Sequence, residues 1–300
     1  MKTMKFLPPA AIIFAAILWS FDGFLRQNLA GVPSFLIILL EHIIGAILFF
    51  PLLIRGWGEI KSIRERTWIS VAWISIVGGI LGTFFYTKAL SYIGYIDLSV
   101  VVLLQKFQPL FAIALAALVL REPLTRRFLA CATGALVGGY FVTFGAIPMA
   151  QWDDKTLIAA LFALLAAFSW GSSTVLGKHA LKNLSFLTVT SLRLWVTAIV
   201  AFIVFMSLPN QPALLSLTSQ QWFIIVVIVL STGSVALFIY YYGLKQVPAT
   251  HATIYELFWP LSAVIIDWVI RGKVLSPPQM AGGVLILLST LLLPRNRANK

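Results

Sequence analysis

The chain has 300 residues, 60% of them hydrophobic and 11% charged, with a mean hydropathy of +0.95. Soluble domains carry about 45–50% apolar and about 25% charged residues. The composition therefore excludes a soluble enzyme, a disordered chain, a secreted disulfide scaffold and a nucleic-acid binder, and it fits a polytopic membrane protein. The net charge of +12 then belongs to loops that fix orientation, and Cys131, the single cysteine, reads as packing in an apolar stretch.

A bilayer span takes about 20 apolar residues. Polar punctuation leaves such blocks near 7–25, 34–54, 68–92, 97–119, 128–149, 156–177, 187–207, 221–243, 250–269 and 278–293, which predicts ten transmembrane segments. Met1 to Phe21 imitates a signal peptide, with Lys2 and Lys5 ahead of an apolar run. No small-residue cleavage site follows, so it reads as an uncleaved first helix. The breaks carry Pro, Gly or charge, as in Arg55–Lys61, Arg121–Arg127 and Leu208–Pro212, and the weakest is Ser91–Leu98. In lipid only helices and closed barrels satisfy their own backbone, and blocks of this length without strict alternation are helices. With the N-terminus in the cytoplasm, fifteen Lys and Arg fall on that side against Arg26, Lys88, Lys155, Arg271 and Lys273 on the other. That bias predicts that both termini are cytoplasmic, in a cell (inner) membrane.

Shifting the chain by 151 residues superposes Trp19 on Trp170, His42 on Arg193, Pro109 on Pro260 and Glu122 on Lys273. One stretch needs 154, where Ala89-Leu90 meets Gly243-Leu244, as a three-residue indel explains. Five helices per copy is an odd number, so the second copy enters from the opposite side. The expected organisation is an all-α integral membrane protein of two inverted five-helix repeats, 1–150 and 151–300. Inverted repeats in transporters place the binding site at the midplane between halves.

Each half opens with Ala-x-x-x-Trp-Ser/Gly, at Ala15–Ser20 and Ala166–Gly171, and carries Ala/Gly-Leu ahead of a helix with a mid-span Pro. Together with Glu122-Pro-Leu-Thr125, these residues resemble the EamA branch of the drug/metabolite transporter superfamily over nearly the whole chain. The resemblance implies two five-helix bundles, a central cavity and export of amino acids or related metabolites. Two departures, Arg271-Gly-Lys273 in place of a Gly-Glu and Glu256 four residues before Pro260, leave the cargo open.

Ionisable groups in mid-membrane cost about 2.5–3.5 kcal/mol each on insertion scales and so face the protein interior. The candidates are Asp22, Glu41, His42, Lys106, Arg193, Glu256 and Asp267. Glu256 is the equivalent of Gln105, beside Lys106, and Arg193 that of His42, beside Glu41. The repeat thus predicts two cross-bundle pairs, Lys106 with Glu256 and Glu41 with Arg193, that either bind substrate and protons or join the halves statically. Asp22, Glu41 and Glu256 are the proton-coupling candidates; Asp267 lies near the outer interface. Trp19, Tyr86, Phe107, Trp170, Tyr240, Tyr241, Tyr242, Tyr255 and Trp259 cluster in the repeat-bearing blocks. An aromatic lining holds flat substrate parts and can bind cations. The predicted substrate site is Trp19, Tyr86, Lys106, Trp170, Arg193, Tyr241, Tyr255, Glu256 and Trp259. Pro109 and Pro260 are hinge candidates, and Gly78-Gly79-x-x-Gly82, Gly134-x-x-x-Gly138 and Gly282-Gly283 are close-packing surfaces.

The expected function is secondary active export of small metabolites by alternating access, with Asp22, Glu41 and Glu256 available for proton coupling. An uncoupled facilitator or channel is the alternative. No ATP-binding P-loop, metal spacing or nucleophile–base constellation is present in the sequence, so no cofactor, no metal and no enzyme activity are expected. The expected partners are a small-molecule substrate and the lipid bilayer, with a monomer compatible with the fold.

Overall fold

The computed structural model describes residues 7–29, 31–90, 104, 107–144, 154–207, 217–272 and 274–294, and among these there is no strand. In chain order the helices are α1 (Leu7–Arg26), α2 (Phe35–Arg55), α3 (Glu65–Ala89), α4 (Gln108–Leu120), α5 (Arg126–Phe144), α6 (Leu157–Asn183), α7 (Phe186–Ser207), α8 (Ser219–Gln246), α9 (Ala249–Tyr255 and Phe258–Arg271) and α10 (Pro277–Leu292). Among the described residues six helices, α1, α2, α3, α6, α7 and α8, are long and apolar enough to cross a membrane. Helices α4 and α10 are apolar but shorter. Parts of the 97–119 and 128–149 blocks lie outside the described residues.

The helices turn apolar side chains outwards. Ile47, Leu118, Phe202, Phe223, Val269 and Leu291 are exposed, a surface that water would penalise and lipid tails do not. Small residues fill the seams instead: Ala15, Ala16, Ala163, Ala166, Ala167 and Ala201 are buried. At the α5–α10 seam a Cβ on Gly138 would sit 2.7 Å from the Gly282 carbonyl oxygen, and one on Gly282 2.6 Å from the Gly138 carbonyl oxygen. Only glycine at both positions allows that crossing.

Packing between the halves is reciprocal. Helix α1 lies against α8 and α9, while α6 lies against α3 and α4; α2 pairs with α7, and α5 with α10. Exchanging the first five helices for the last five reproduces this set of contacts. Among the described residues three helices are interrupted where an unbroken block was expected. A turn at Phe21 divides α1, turns at Ser231–Gly233 divide α8, and Glu256-Leu257 divides α9. At the α8 break the Gly233 amide reaches back to the Ile228 carbonyl at 2.7 Å. The middle of α3, Ile74–Leu81, is π-helical, a widened turn of the kind that recurs at functional sites.

One end of the bundle is held by charges on helix termini. Lys178 Nζ donates to the carbonyls of Leu244 and Lys245 at the end of α8, at 2.9 and 2.8 Å. Lys245 Nζ donates back to Leu181 and Leu184 at the end of α6, at 3.2 and 2.7 Å. Cations at helix C-termini satisfy carbonyls that have no partner within the helix. Glu122 supplies the opposite charge, accepting from the Ala249 and Thr250 amides at 2.8 and 2.9 Å at the start of α9. It reaches them because Arg121 ends α4 in the left-handed region, at φ 56°. Glu59 likewise accepts from the Ser185 amide ahead of α7 at 2.7 Å. This is the basic end, the one expected on the cytoplasmic side from the charge bias of the sequence.

Candidate functional site

Two aromatic pairs mark the contact between the halves. Trp19 on α1 meets Tyr240 on α8 with ring centroids 5.2 Å apart and planes at 49°. Trp170 on α6 meets Tyr86 on α3 at 5.5 Å and 55°. The 151-residue offset superposes Trp19 on Trp170, and the 154-residue offset of the stretch that places Ala89 on Gly243 carries Tyr86 onto Tyr240, so each pair is the other's counterpart with the halves exchanged. Trp170 comes close because Gly82 lies beneath it: a Cβ there would stand 2.6 Å from the indole Nε1. All but Tyr240 are half-buried; Tyr240 is buried.

Glu256 sits at the interruption of α9, with its carboxylate held by neutral donors from three other helices. Tyr240 Oη donates to Oε1 at 2.5 Å, Thr174 Oγ1 donates to the same atom at 3.3 Å, and Gln108 Nε2 donates to Oε2 at 2.9 Å. Tyr240 and Thr174 also bond to each other at 3.0 Å. A charge with hydrogen bonds at both oxygens tolerates low dielectric far better than an isolated one. Non-helical backbone at membrane depth occurs where it is buried in protein or lines a cavity.

Arg193 on α7 donates from Nη1 to Tyr241 Oη at 2.7 Å, with its guanidinium carbon 5.7 Å from that ring's centroid. Its Nε is buried with no hydrogen-bond partner, as is Ser173 Oγ nearby. Tyr241 is fully buried against Gly177. The expected Glu41–Arg193 pair is not formed. Glu41 Oε2 instead accepts from Arg26 Nη2 at 3.0 Å, and Arg26 Nε pairs with Asp22 on its own helix. Thr232 Oγ1, from the α8 break, donates to Asp22 Oδ1 at 2.8 Å. Arg26 was expected among the outer-loop charges; the i, i+4 spacing from Asp22 turns it inwards to both carboxylates.

The remaining expected residues divide. Lys106 lies outside the described residues, so its pairing with Glu256 does too. Tyr255 is buried in the same apolar core as Tyr240 and Tyr241, and Trp259 and Phe258 are half-buried beyond the break. Pro260 is not a mid-helix kink. It falls in the first turn of Phe258–Arg271, where its missing N–H has no helical partner to lose, and Pro109 likewise opens α4. The interruption in the second half is at Glu256-Leu257, one turn earlier than the proline itself. Sequence reasoning passed over Gln108, Thr174 and Thr232. Thr174 is one helical turn from Trp170, Gln108 immediately precedes Pro109, and the polar run Ser231-Thr-Gly-Ser234 inside an apolar block signals a broken helix.

The chain matches the model of the EamA-like transporter family twice, at residues 9–144 and 157–294. It is 38% identical over 285 residues to the riboflavin transporter ImpX of Fusobacterium nucleatum subsp. nucleatum, covering 93% of this chain and 95% of that protein. It is 24% identical to the uncharacterised transporter YoaV of Bacillus subtilis, over 92% of both chains. With the biotin transporter of Escherichia coli K12 it shares 21% identity, over 95% of this chain and 92% of that one. A crystal structure with 19% sequence identity has the same fold, with a TM-score of 0.76 and 95% of each chain covered. A family match spanning both halves, with a transporter so alike along its whole length, makes this chain a transporter and not an enzyme; it belongs to the EamA-like transporter family.

Proposed function

We propose that the chain is a secondary active transporter of a flat heteroaromatic vitamin of the riboflavin class, coupled to protons and working by alternating access. It crosses the inner membrane ten times as two inverted five-helix repeats, 1–150 and 151–300, with both termini in the cytoplasm. The observation that carries the cargo is the 38% identity with a riboflavin transporter over 95% of that protein's length. The chemistry agrees with it. An isoalloxazine ring offers a large flat face and an edge of alternating carbonyls and ring nitrogens. Trp19, Tyr86, Trp170 and Tyr240 supply ring faces from both halves, and Arg193, Tyr241, Tyr255, Trp259 and Glu256 supply polar edges and further aromatic surface. Lys106 would add a cation from the same region of the sequence. Because the two Trp–Tyr pairs bridge the halves, rocking of one half on the other would open the substrate pocket to one side while the lysine caps of α6 and α8 hold the basic end shut.

Amino-acid export, which the family resemblance implies, is the second reading. It is favoured by the adjacent Tyr241 and Tyr240 holding a guanidinium and a carboxylate, which a zwitterion could engage. Thermal unfolding of the purified protein with riboflavin, biotin and an amino-acid panel separates the two. Ligand at a hundredfold excess over its Kd stabilises the native form by about 2.7 kcal/mol. A rise in melting temperature with riboflavin alone supports the first reading, and a rise with amino acids alone replaces it. Accumulation in proteoliposomes that ignores an imposed pH gradient would make the protein an uncoupled facilitator.

A further inference from the structure

We infer that the cluster of Asp22, Arg26, Glu41 and Thr232 is a proton-binding site, with Glu41 the group that takes and releases the proton. This rests on the proton-coupled reading above and assigns the coupling to a place other than Glu256.

Charge balance is the first ground. Two carboxylates, Asp22 and Glu41, share one guanidinium, Arg26. With both acids ionised and Arg26 the one cation paired with them, the cluster carries one uncompensated negative charge within the bundle. Burying such a charge is costly, and binding one proton removes it. The second ground is an acceptor left open. Glu41 is 8% exposed, and its Oε1 is buried with no hydrogen-bond partner, while its Oε2 is occupied by Arg26. Asp22 differs, since Arg26 holds Oδ2 and Thr232 holds Oδ1. Both oxygens of Glu256 are likewise taken, by Tyr240, Thr174 and Gln108. Of the three acids, Glu41 therefore has the free oxygen.

The groups that face Glu41 come from each packed helix. Asp22 and Arg26 act on it from α1. On its own helix His42 donates from Nδ1 to the Ile38 carbonyl at 2.8 Å and feels Arg193 of α7. Tyr86 on α3 lies within range of Asp22, and α8 brings the Thr232 hydroxyl. The third ground is the backbone. Thr232 belongs to the interrupted turn of α8, and Asp22 follows the turn that interrupts α1. Discontinuous membrane helices are where coupling ions are held.

The site also connects to the substrate pocket. Asp22 is three residues from Trp19 along α1, and Thr232 is two helical turns from Tyr240 along α8. The step is a simple one: the Glu41 carboxylate and a proton give the carboxylic acid, and Arg26 is then left to Asp22. That relaxes the α1–α2 link and leaves the α1–α8 link in place, so protonation alters which helices α1 is tied to. Release regenerates the carboxylate and its bond to Arg26.

The test has a readout that needs no substrate. Infrared difference spectra of the reconstituted full-length protein, recorded on acidification, are expected to show a carboxylic-acid C=O band that is lost in Glu41→Gln, kept in Glu256→Gln and shifted in Glu41→Asp. In proteoliposomes, riboflavin accumulation driven by a pH gradient is expected in the wild type and lost in Glu41→Gln, with Glu41→Asp restoring part of it. A band that persists in Glu41→Gln, or one lost only in Glu256→Gln, overturns the inference. So does wild-type accumulation driven by a sodium gradient and indifferent to pH. If the band behaves as expected but riboflavin is not moved by the wild type, the proton site stands and the cargo assignment falls.

Discussion

Gly138 and Gly139 are neighbours on α5, and alanine at the two positions should have opposite effects. A Cβ at Gly138 would lie 2.7 Å from the Gly282 carbonyl oxygen, 2.9 Å from Ile286 Cγ1 and 3.0 Å from the Ile286 amide nitrogen. Two of those atoms are backbone of α10 and cannot rotate aside. Ordinary contact begins at 3.4 Å, so the helices must part by about 0.7 Å or strain. Such overpacking costs about 1–3 kcal/mol. At Gly139 the nearest atom to the added Cβ is Leu257 Cδ2 at 3.6 Å, an ordinary contact. Both substitutions gain the same helix propensity, about 0.8–1 kcal/mol, so the difference between them isolates the crossing: Gly138→Ala should be less stable than Gly139→Ala by about 1–3 kcal/mol. The measurement is the unfolding midpoint in a denaturing-detergent titration of the purified protein. Equal midpoints would refute the argument that backbone contact at this seam, and not general dislike of change on α5, sets the glycine requirement.

Gly82→Ala should displace the Trp170 indole, whose Nε1 stands 2.6 Å from the added carbon. The riboflavin-induced rise in melting temperature should shrink while the ligand-free protein remains folded; an undiminished rise would take Trp170 out of the pocket. Tyr240→Phe keeps the ring against Trp19 but removes the donor to Glu256, and should lower stability by about 0.5–1.5 kcal/mol, read from the same detergent titration. Glu122→Gln should cost about 1–2 kcal/mol, since it weakens the anionic cap on α9. A neutral result there would mean that the Ala249 and Thr250 amides find water. Replacing both Lys178 and Lys245 by Met should raise the labelling of a cysteine placed on the inner wall of α8 from the basic side. Unchanged labelling would mean that the lysine caps do not help to close that end.

Composition, block length and the 151-residue offset are enough to predict a helical membrane transporter of two like halves, because lipid leaves the backbone few solutions and a duplicated sequence repeats its periodicities. The residues of the two Trp–Tyr contacts were singled out by the repeat for the same reason: Trp19 and Trp170 recur at one offset. Charge pairing was not. The repeat put Glu41 opposite Arg193, yet Glu41 is held by Arg26, which the sequence assigned to a loop. A pseudo-symmetric alignment gives the depth of a residue in its helix but not its rotation or its neighbours. A long guanidinium side chain at the end of α1 can reach the buried carboxylate on α2, and nothing in a linear pattern records that reach. The Pro109 and Pro260 positions likewise marked where helices change character, while the interruption itself formed at Glu256-Leu257, where side chains from α4, α6 and α8 converge. The sequence by itself determined the solvent, the helical class and the repeated family signature, since these follow from local polarity and from residues that recur along the chain. The tertiary structure alone decided which charges meet, which helices break, and which acid keeps an open oxygen, since those depend on contacts between residues up to 210 positions apart.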